Sequence, residues 1–222
     1  MKIKKYTYIM LAVLLFSGTA CSDFLDKEYD ATLSDEKVFT NQTMTREFLT
    51  DIYTNLPDGL APLNDDQFTG ASRDCMTDNA TSYWGLHYYT KVATDSYTAK
   101  DHPLLGQWNT DFAGIRKCNI FLNNAQASVV GNAEKSGDDN KLYERYCNEA
   151  RLLRALFHFD LVCWFGDMLI VGENEDGTNI VFSMENPEQM NQARTPAADV
   201  LQWVADECDK VKDALPFRYS NE

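Results

Sequence analysis

Residues 139–167 read DNKLYERYCNEARLLRALFHFDLVCWFGD and have the clearest helical pattern in the chain. Bulky or apolar side chains recur along it every three or four positions, at Tyr143, Tyr146, Ala150, Leu153, Phe157, Leu161 and Trp164. This spacing matches the turn of an α-helix and predicts one long helix from about Asp139 to Phe165, with a single buried stripe. Gly166 predicts the end of that helix.

Two shorter helices are predicted on the N-terminal side of this stretch. The first begins at an Asn41 or Thr43 cap and ends at Pro57 and Gly59, and the second is centred on Ile115. Their stripes are Phe48, Leu49, Ile52, Tyr53 and Leu56 in the first helix, and Trp108, Phe112, Ile115, Asn119 and Leu122 in the second. Between them, residues 58–103 are predicted to form a long irregular loop, because Asp, Asn, Gly, Ser and Thr interrupt the helical spacing of apolar residues.

A last helix is predicted near the end of the chain. Thr195 is its expected N-cap, Pro196 takes the first helical position, where a missing N–H is tolerated, and Pro216 closes it. Its stripe is Val200, Val204, Cys208, Val211 and Leu215. Minor β segments are predicted over residues 168–171 and 180–182. The sequence therefore predicts a mostly all-α fold whose helices pair to bury their stripes, as in tetratricopeptide-type solenoids, although no repeat of about 34 residues aligns within the chain.

Charge excludes one class of partner. The 222 residues hold 20 Lys plus Arg against 34 Asp plus Glu, a formal net charge of −14. Binding to nucleic acid requires a basic face for the phosphates, so no nucleic-acid partner is expected.

The first residues have the order of a secretory signal. A basic start precedes an apolar run over residues 8–16, and small residues then lead into Cys21. The run is shorter than the about 20 residues that a membrane-spanning helix needs. The sequence Gly18-Thr19-Ala20-Cys21 resembles the lipobox of bacterial lipoproteins, with Gly18 where Leu is usual, and it predicts lipidation of Cys21. An ordinary cleavage site followed by a cysteine is the alternative.

Cleavage after residue 20 removes three lysines and no acid, which leaves a net charge of −17. The acidic residues after the anchor read as a solvated tether over residues 21–34 and also resemble the export signal of surface lipoproteins in Bacteroidota.

Metal and disulfide chemistry have little support in the sequence. Five cysteines follow the anchor, an odd number without a C-x-x-C pair, and the three histidines are isolated. The acidic run of residues 173–177 lacks the register of a calcium loop, so we interpret it as a solvated turn. No metal or cofactor is predicted.

A cluster of aromatic and polar side chains in the long loop is the candidate ligand site. Sugars present C–H faces to aromatic rings and hydroxyls to polar groups, so a loop that combines both kinds of side chain suits glycan binding. The candidates are Arg73, Asp74, Asp78, Asn79, Tyr83, Trp84, Tyr88 and Tyr89, with Trp84 foremost. The alternative is that these rings pack the loop onto the helices, the role expected of Trp164 and Trp203.

Four ordered motifs resemble the SusD/RagB-type nutrient-uptake lipoproteins. They are residues 21–26 (CSDFLD), residues 108–119 with Trp108 and Asn119 at the ends, residues 149–167 (EARLLRALFHFDLVCWFGD), and residues 194–216 ending in Ala-Leu-Pro. Two residues depart from the pattern: His158 replaces a usual aromatic, and Leu169 replaces a usual proline. The second departure leaves the chain after the long helix less constrained in φ.

The resemblance implies a surface-exposed outer-membrane lipoprotein with tetratricopeptide-type helix pairs. Such proteins bind glycan or peptide ligands without catalytic residues and close over a SusC-type TonB-dependent transporter. On this basis residues 1–20 are the signal peptide, residues 21–34 the anchor and tether, and residues 35–222 a SusD-like N-terminal domain. Family members continue well past this length, so the chain resembles the N-terminal portion of a larger binder.

A lipid-anchored glycoside hydrolase is the competing hypothesis. It would use a pair of carboxylates about 5–10 Å apart, and Asp65, Asp66, Asp74 and Asp78 supply acids. The ligand also stays open at this stage, among starch, another glycan, a host glycoconjugate and a peptide.

Overall fold

The structure is a computed structural model that describes residues 35–57, 73–81, 88–98, 100, 104–131, 139–183 and 187–215. The chain divides into two compact units, residues 1–37 and 38–222. Of the first unit the description covers residues 35–37, so the predicted signal peptide, Cys21 and the whole tether lie outside the described residues. The second unit contains the core and the sites discussed below.

The described chain is mostly helical, as predicted. Its helices are α1 (Asp35–Phe39), α2 (Gln42–Tyr53), α3 (Tyr88–Ala93), α4 (Leu105–Asn124), α5 (Ala127–Val130), α6 (Asp139–Phe165) and α7 (Ala197–Val211). Two 3-10 turns, Arg73–Met76 and Pro187–Met190, complete the regular elements. Within these ranges no helix is long and apolar enough to cross a bilayer.

The long helix α6 is confirmed with the predicted bounds. It ends at Gly166, whose φ of 68° lies in the left-handed region that glycine adopts without strain. The Asn41 cap of α2 is also confirmed, because its side-chain oxygen accepts a hydrogen bond from the backbone N–H of Met44 at 3.1 Å.

Both α2 and α7 end before the prolines predicted to close them. α2 stops at Tyr53, because the hydroxyl of Thr54 bonds back to the Asp51 carbonyl at 2.6 Å, and α7 stops at residue 211, ahead of Pro216. The assignment of Tyr53 to the buried stripe is wrong, since its side chain is 42% exposed.

The start of α7 is shifted by one residue from the prediction. Pro196 is the N-cap, and the predicted cap Thr195 instead forms an antiparallel bridge with Met168. The capping oxygen comes from another element, because the Asp167 carboxylate accepts a hydrogen bond from the N–H of Ala197 at 2.8 Å.

At or beside the predicted minor β segments, the chain forms isolated antiparallel bridges and not continuous strands within the described residues. The chain pairs at isolated antiparallel bridges, Met168 with Thr195 and Glu173 with Asn179. Side chains take the place of a neighbouring strand: His158 accepts the N–H of Val171, and the amide of Asn119 donates to the carbonyl of that same residue.

The long helices pack antiparallel to their neighbours in the core. In each pair, residues later in one helix contact residues earlier in the other. Asp51 contacts Lys117 and Asn55 contacts Thr110 where α2 meets α4, and Gly114 faces Phe157 and Asn119 contacts Arg154 where α4 meets α6. Arg154 contacts Glu207 and His158 contacts Trp203 where α6 meets α7. This arrangement is the predicted stacking of helix pairs.

Close packing at the centre of this stack depends on small residues. A Cβ on Gly114 would lie 2.6 Å from the ring of Phe157, so α4 and α6 approach closely only with glycine there. The thiol of Cys118 is fully buried, and its burial raises the pKa to about 12. It packs as a small hydrophobic side chain, and the other described cysteines are free thiols as well.

One carboxyl group is buried between α4 and α6. Asp111 is fully buried and accepts hydrogen bonds from the side-chain amide of Gln107 at 3.1 and 3.2 Å. Burial and the charge of neighbouring Asp160 raise the pKa of Asp111 to about 7, although the Gln107 bonds act in the opposite direction. The folded protein therefore holds a proton here that the unfolded chain releases near pH 3.8.

This proton makes stability depend on pH. Because the folded pKa of Asp111 exceeds the unfolded value, its contribution is most favourable below about pH 4 and declines as the pH rises through 7. We expect Asp111→Asn to gain stability relative to wild type as the pH rises from 4.5 to 7.5, since the amide keeps the bond to Gln107 and never ionises. Urea denaturation at both pH values measures this. The exposed control Asp78→Asn should show no such trend, and an equal Asp111→Asn effect at both values would contradict the assignment.

Candidate functional site

Arg154, in the middle of α6, has a fully buried guanidinium group. Its Nη1 donates to the side-chain oxygens of Asn119 at 2.9 Å and Asn179 at 2.6 Å, and its Nη2 donates to Glu207 at 2.8 Å. The guanidinium carbon also lies 5.7 Å from the ring centroid of Trp203. The motif over residues 149–167 therefore supplies an internal cation that joins α4, α6, α7 and the loop after α6.

Glu207 neutralises this cation. The residue is 3% exposed and also accepts a hydrogen bond from Lys210 at 2.6 Å. Burial would raise the pKa of Glu207, but the hydrogen bonds and positive charges of Lys210 and Arg154 outweigh it and lower the pKa below its usual value. The carboxylate is therefore ionised at neutral pH and forms a buried ion pair.

His158, one helical turn after Arg154, has a structural role. Its Nε2 accepts a hydrogen bond from the backbone N–H of Val171 at 3.0 Å, so the proton is on Nδ1, which donates to the Arg154 carbonyl at 2.8 Å. Burial lowers the pKa of His158 to about 4, so the ring is neutral at physiological pH. The departure from the family pattern thus ties the segment after α6 to the helix.

Asparagine side chains hold the loop that follows α6. The amide of Asn119 donates to the carbonyls of Val171 and Ile180 at 3.1 and 2.7 Å. The side chain of Asn123 bonds both the N–H and the carbonyl of Asn179, at 2.8 and 2.9 Å. Both ends of residues 171–180 are thereby attached to α4.

The acidic run in this loop is a tight, solvated turn, as predicted. Gly177 has a φ of 83°, and its N–H donates to the Asn174 carbonyl at 3.0 Å. The Asp176 carboxylate accepts bonds from the hydroxyl and the N–H of Thr178, which lower the pKa of Asp176. Within the described ranges no three potential metal ligands converge.

A polar cleft opens between this turn, the end of α4 and the first half of α6. Its volume is about 360 Å³. We call it the turn cleft, and it is lined by Leu122, Tyr143, Glu144, Cys147, Asn148, Arg151, Gly177 and Asn179. A volume near the lower end of the usual range of about 300–1,000 Å³ suits a small ligand.

Two side chains of the turn cleft are coupled. Desolvation raises the pKa of both Tyr143 and Cys147, and a hydrogen bond links the two groups. Because their pKa values are raised, the phenol and the thiol are neutral at physiological pH. Both side chains are half-buried and therefore partly accessible. The other end of the cleft is charged, because Arg151 pairs with Glu173 at 3.2 Å.

The structure brings together part of the predicted ligand cluster. Asp74, Asp78 and Asn79 are exposed in residues 73–81, and the 3-10 turn Arg73–Met76 packs against α3, which begins at Tyr88 and Tyr89. Tyr83, Trp84 and the side chains of Arg73, Tyr88 and Tyr89 lie outside the described residues, as do Asp65 and Asp66. The backbone segments that carry the two halves of the candidate cluster thus lie close together in space.

Sequence reasoning missed Glu207, Asn179 and the turn cleft. A signal for Glu207 was present, because it lies between Val204 and Val211 on the apolar stripe of α7, where a carboxylate implies a buried cation. Asn179 gave no comparable signal, since it belongs to an irregular loop. Trp203, expected in the core, is half-buried and lies 4.6 Å from His158 between ring centroids.

Comparison with known proteins gives two matches. The family model SusD-like_3, described as "Starch-binding associating with outer membrane", matches residues 23–221. A SusD-like carbohydrate binding protein from Bacteroides fragilis NCTC 9343 is similar in structure, with a TM-score of 0.58 and 26% sequence identity over 82% of this chain and 33% of that chain. The chain thus spans about a third of the length of that solved relative. No curated protein matches it.

Removing the buried cation should be strongly destabilising. Arg154→Met leaves Glu207 as a buried carboxylate that lacks its Arg154 partner, and we expect a loss of about 3–5 kcal/mol in the free energy of unfolding. The double variant Arg154→Met/Glu207→Gln should recover part of this loss, since it removes the buried carboxylate that only Lys210 would still balance. Urea denaturation of both variants measures the difference, and equal stability of the two would show that the carboxylate is not the source of the penalty.

Proposed function

The chain belongs to the SusD-like family, and on that premise we propose that it is a glycan-binding outer-membrane lipoprotein that delivers its ligand to a SusC-type TonB-dependent transporter. The observation that carries the proposal is the family match over residues 23–221, which spans nearly the whole chain after the predicted cleavage site. The family description names starch, so starch fragments are the first ligands to test.

The fold supports a binding role. Rigid helix pairs carry long connections, and binding residues are commonly placed on loops that a rigid scaffold positions. We propose that the ligand contacts come from residues 73–89, where Asp74, Asp78 and Asn79 are exposed and α3 lies against the same turn. Arg73, Tyr83, Trp84, Tyr88 and Tyr89 complete the proposed set, with the rings stacking on sugar faces and the polar groups bonding hydroxyls.

We further propose that the protein binds without catalysis. In such a role the ligand has to leave unchanged for the transporter, so tight positioning of a general acid and a nucleophile is not needed. A peptide ligand is the alternative that the resemblance leaves open, and a casein digest serves as the comparison ligand.

Trp84→Ala tests the ligand site. A stacked ring contributes about 0.5–1.5 kcal/mol beyond its buried area, so we expect the affinity for maltoheptaose to fall by about tenfold or more. Isothermal titration calorimetry on the whole chain measures the change. Phe159→Ala is the matched control, since it removes a 47% exposed ring from α6 and should leave the affinity unchanged.

Three results would contradict these assignments. Unchanged affinity in Trp84→Ala would place the contacts elsewhere. Hydrolysis products after incubation with maltoheptaose would overturn the binder-only role and favour paired carboxylates such as Asp74 and Asp78. Binding of the casein digest, with no affinity for any glycan tested, would replace the ligand class.

The membrane attachment is proposed to be a lipid on Cys21. Radiolabelled palmitate should be incorporated into the wild-type chain and into Cys163→Ala, but not into Cys21→Ala, which should also leave the membrane fraction. A Cys21→Ala protein that is processed and still membrane-bound would show that the anchor lies elsewhere.

A further inference from the structure

We propose that the turn cleft is a second binding site, separate from residues 73–89, and that it takes one or two rings of a neutral sugar. The class of ligand rests on the proposed function, whereas the site rests on the geometry of the described residues. Three properties of the cleft support this assignment: walls held by internal hydrogen bonds, available polar groups and balanced charge.

Hydrogen bonds within the protein hold the walls of the cleft in place. One wall is α6, and the facing turn is held at both ends by Asn119 and Asn123 of α4. Asn179 also bonds the buried Arg154, so the base of the turn is attached to the core. A preorganised cleft binds without first ordering its loops, which saves conformational entropy on association.

Polar groups on α6 face the cleft with hydrogen-bonding capacity to spare. The side chain of Asn148 forms no hydrogen bond with any described residue, and it offers two donors and one acceptor. Tyr143, five residues earlier in α6, adds a hydroxyl and an aromatic ring, and Arg151, three residues later, adds a guanidinium group. An aromatic ring beside an amide and a guanidinium suits the C–H face and the hydroxyls of a sugar.

Charge around the cleft favours a neutral ligand. Arg151 is paired with Glu173, and Glu144 adds an exposed negative charge. An acidic sugar would meet two carboxylates and a cation that is already paired, so it gains little. The volume of about 360 Å³ further limits the occupant to a short piece of a glycan.

Cys147 gives a direct readout, because it lines the cleft and is half-buried. Maltose should protect it from N-ethylmaleimide at pH 8.5, with the modification rate falling by about tenfold when maltose is at about ten times its Kd. Mass spectrometry of the peptides follows each cysteine separately. Cys163 is the internal control, since it is an exposed thiol of the same helix outside the cleft and should react at the same rate with and without sugar.

Asn148→Leu is the matching variant, because leucine is similar in size and lacks the amide. The maltose concentration that half-protects Cys147 should rise by about tenfold, because one to two hydrogen bonds to the sugar are lost. Asn124→Leu, an exposed asparagine of α4 outside the cleft lining, should leave the protection unchanged.

The outcomes separate this inference from the proposed function. Maltoheptaose binding that depends on Trp84, together with a Cys147 that maltose never protects, would overturn the second site and leave the proposed function standing. A Cys147 that fails to react without sugar would show that the cleft is closed, which also overturns the inference. Protection of Cys147 that persists in Trp84→Ala and is lost in Asn148→Leu would establish an independent site.

Discussion

The buried guanidinium of Arg154 fixes how the helices around it pack together. A charge with no exposure to water is tolerated only when its hydrogen bonds and its countercharge are supplied from within the protein. Asn119, Asn179 and Glu207 supply them, and they come from α4, the loop after α6, and α7. Any shift of one helix past another would separate these groups, so the ion pair selects one register among the many that apolar stripes alone would permit.

The same network explains how an irregular segment is held at the surface of a helical protein. Residues 171–180 have no neighbouring strand among the described residues, and the backbone groups at both ends of the segment are bonded by the side chains of Asn119, Asn123 and His158. These bonds replace a sheet ladder and keep the buried polar backbone paired. They also fix the turn opposite α6, so a device that stabilises the fold also forms one wall of a ligand-sized cleft.

The candidate ligand surfaces differ in how the sequence reveals them. Residues 73–89 stand out in the sequence because rings and polar groups are concentrated in a region without helical periodicity. The turn cleft does not stand out, because Tyr143, Asn148 and Arg151 lie on a helix whose pattern indicates packing. Its facing residue, Gly177, belongs to a turn that follows the helix in the chain. Only the folding of the turn onto α6 brings these residues together around one cleft.

Local sequence patterns were sufficient to predict several elements of the fold. The bounds of α6 follow from a strong period and a glycine, the Asn41 cap follows from an asparagine before a helical stripe, and the mostly helical class follows from several such stripes. The family resemblance likewise rests on short ordered motifs.

Other features depend on partners distant in the chain, and these follow from the tertiary contacts. Thr195 does not cap α7, because Asp167 caps that helix and Thr195 pairs with Met168. The predicted β segments form no strands within the described residues, because side chains of α4 and α6 bond their backbone groups. Arg154 reads in the sequence as one more residue of a helix. Its burial, its countercharge and its part in building the cleft exist only once three helices and a loop meet, because a buried charge is defined by what surrounds it.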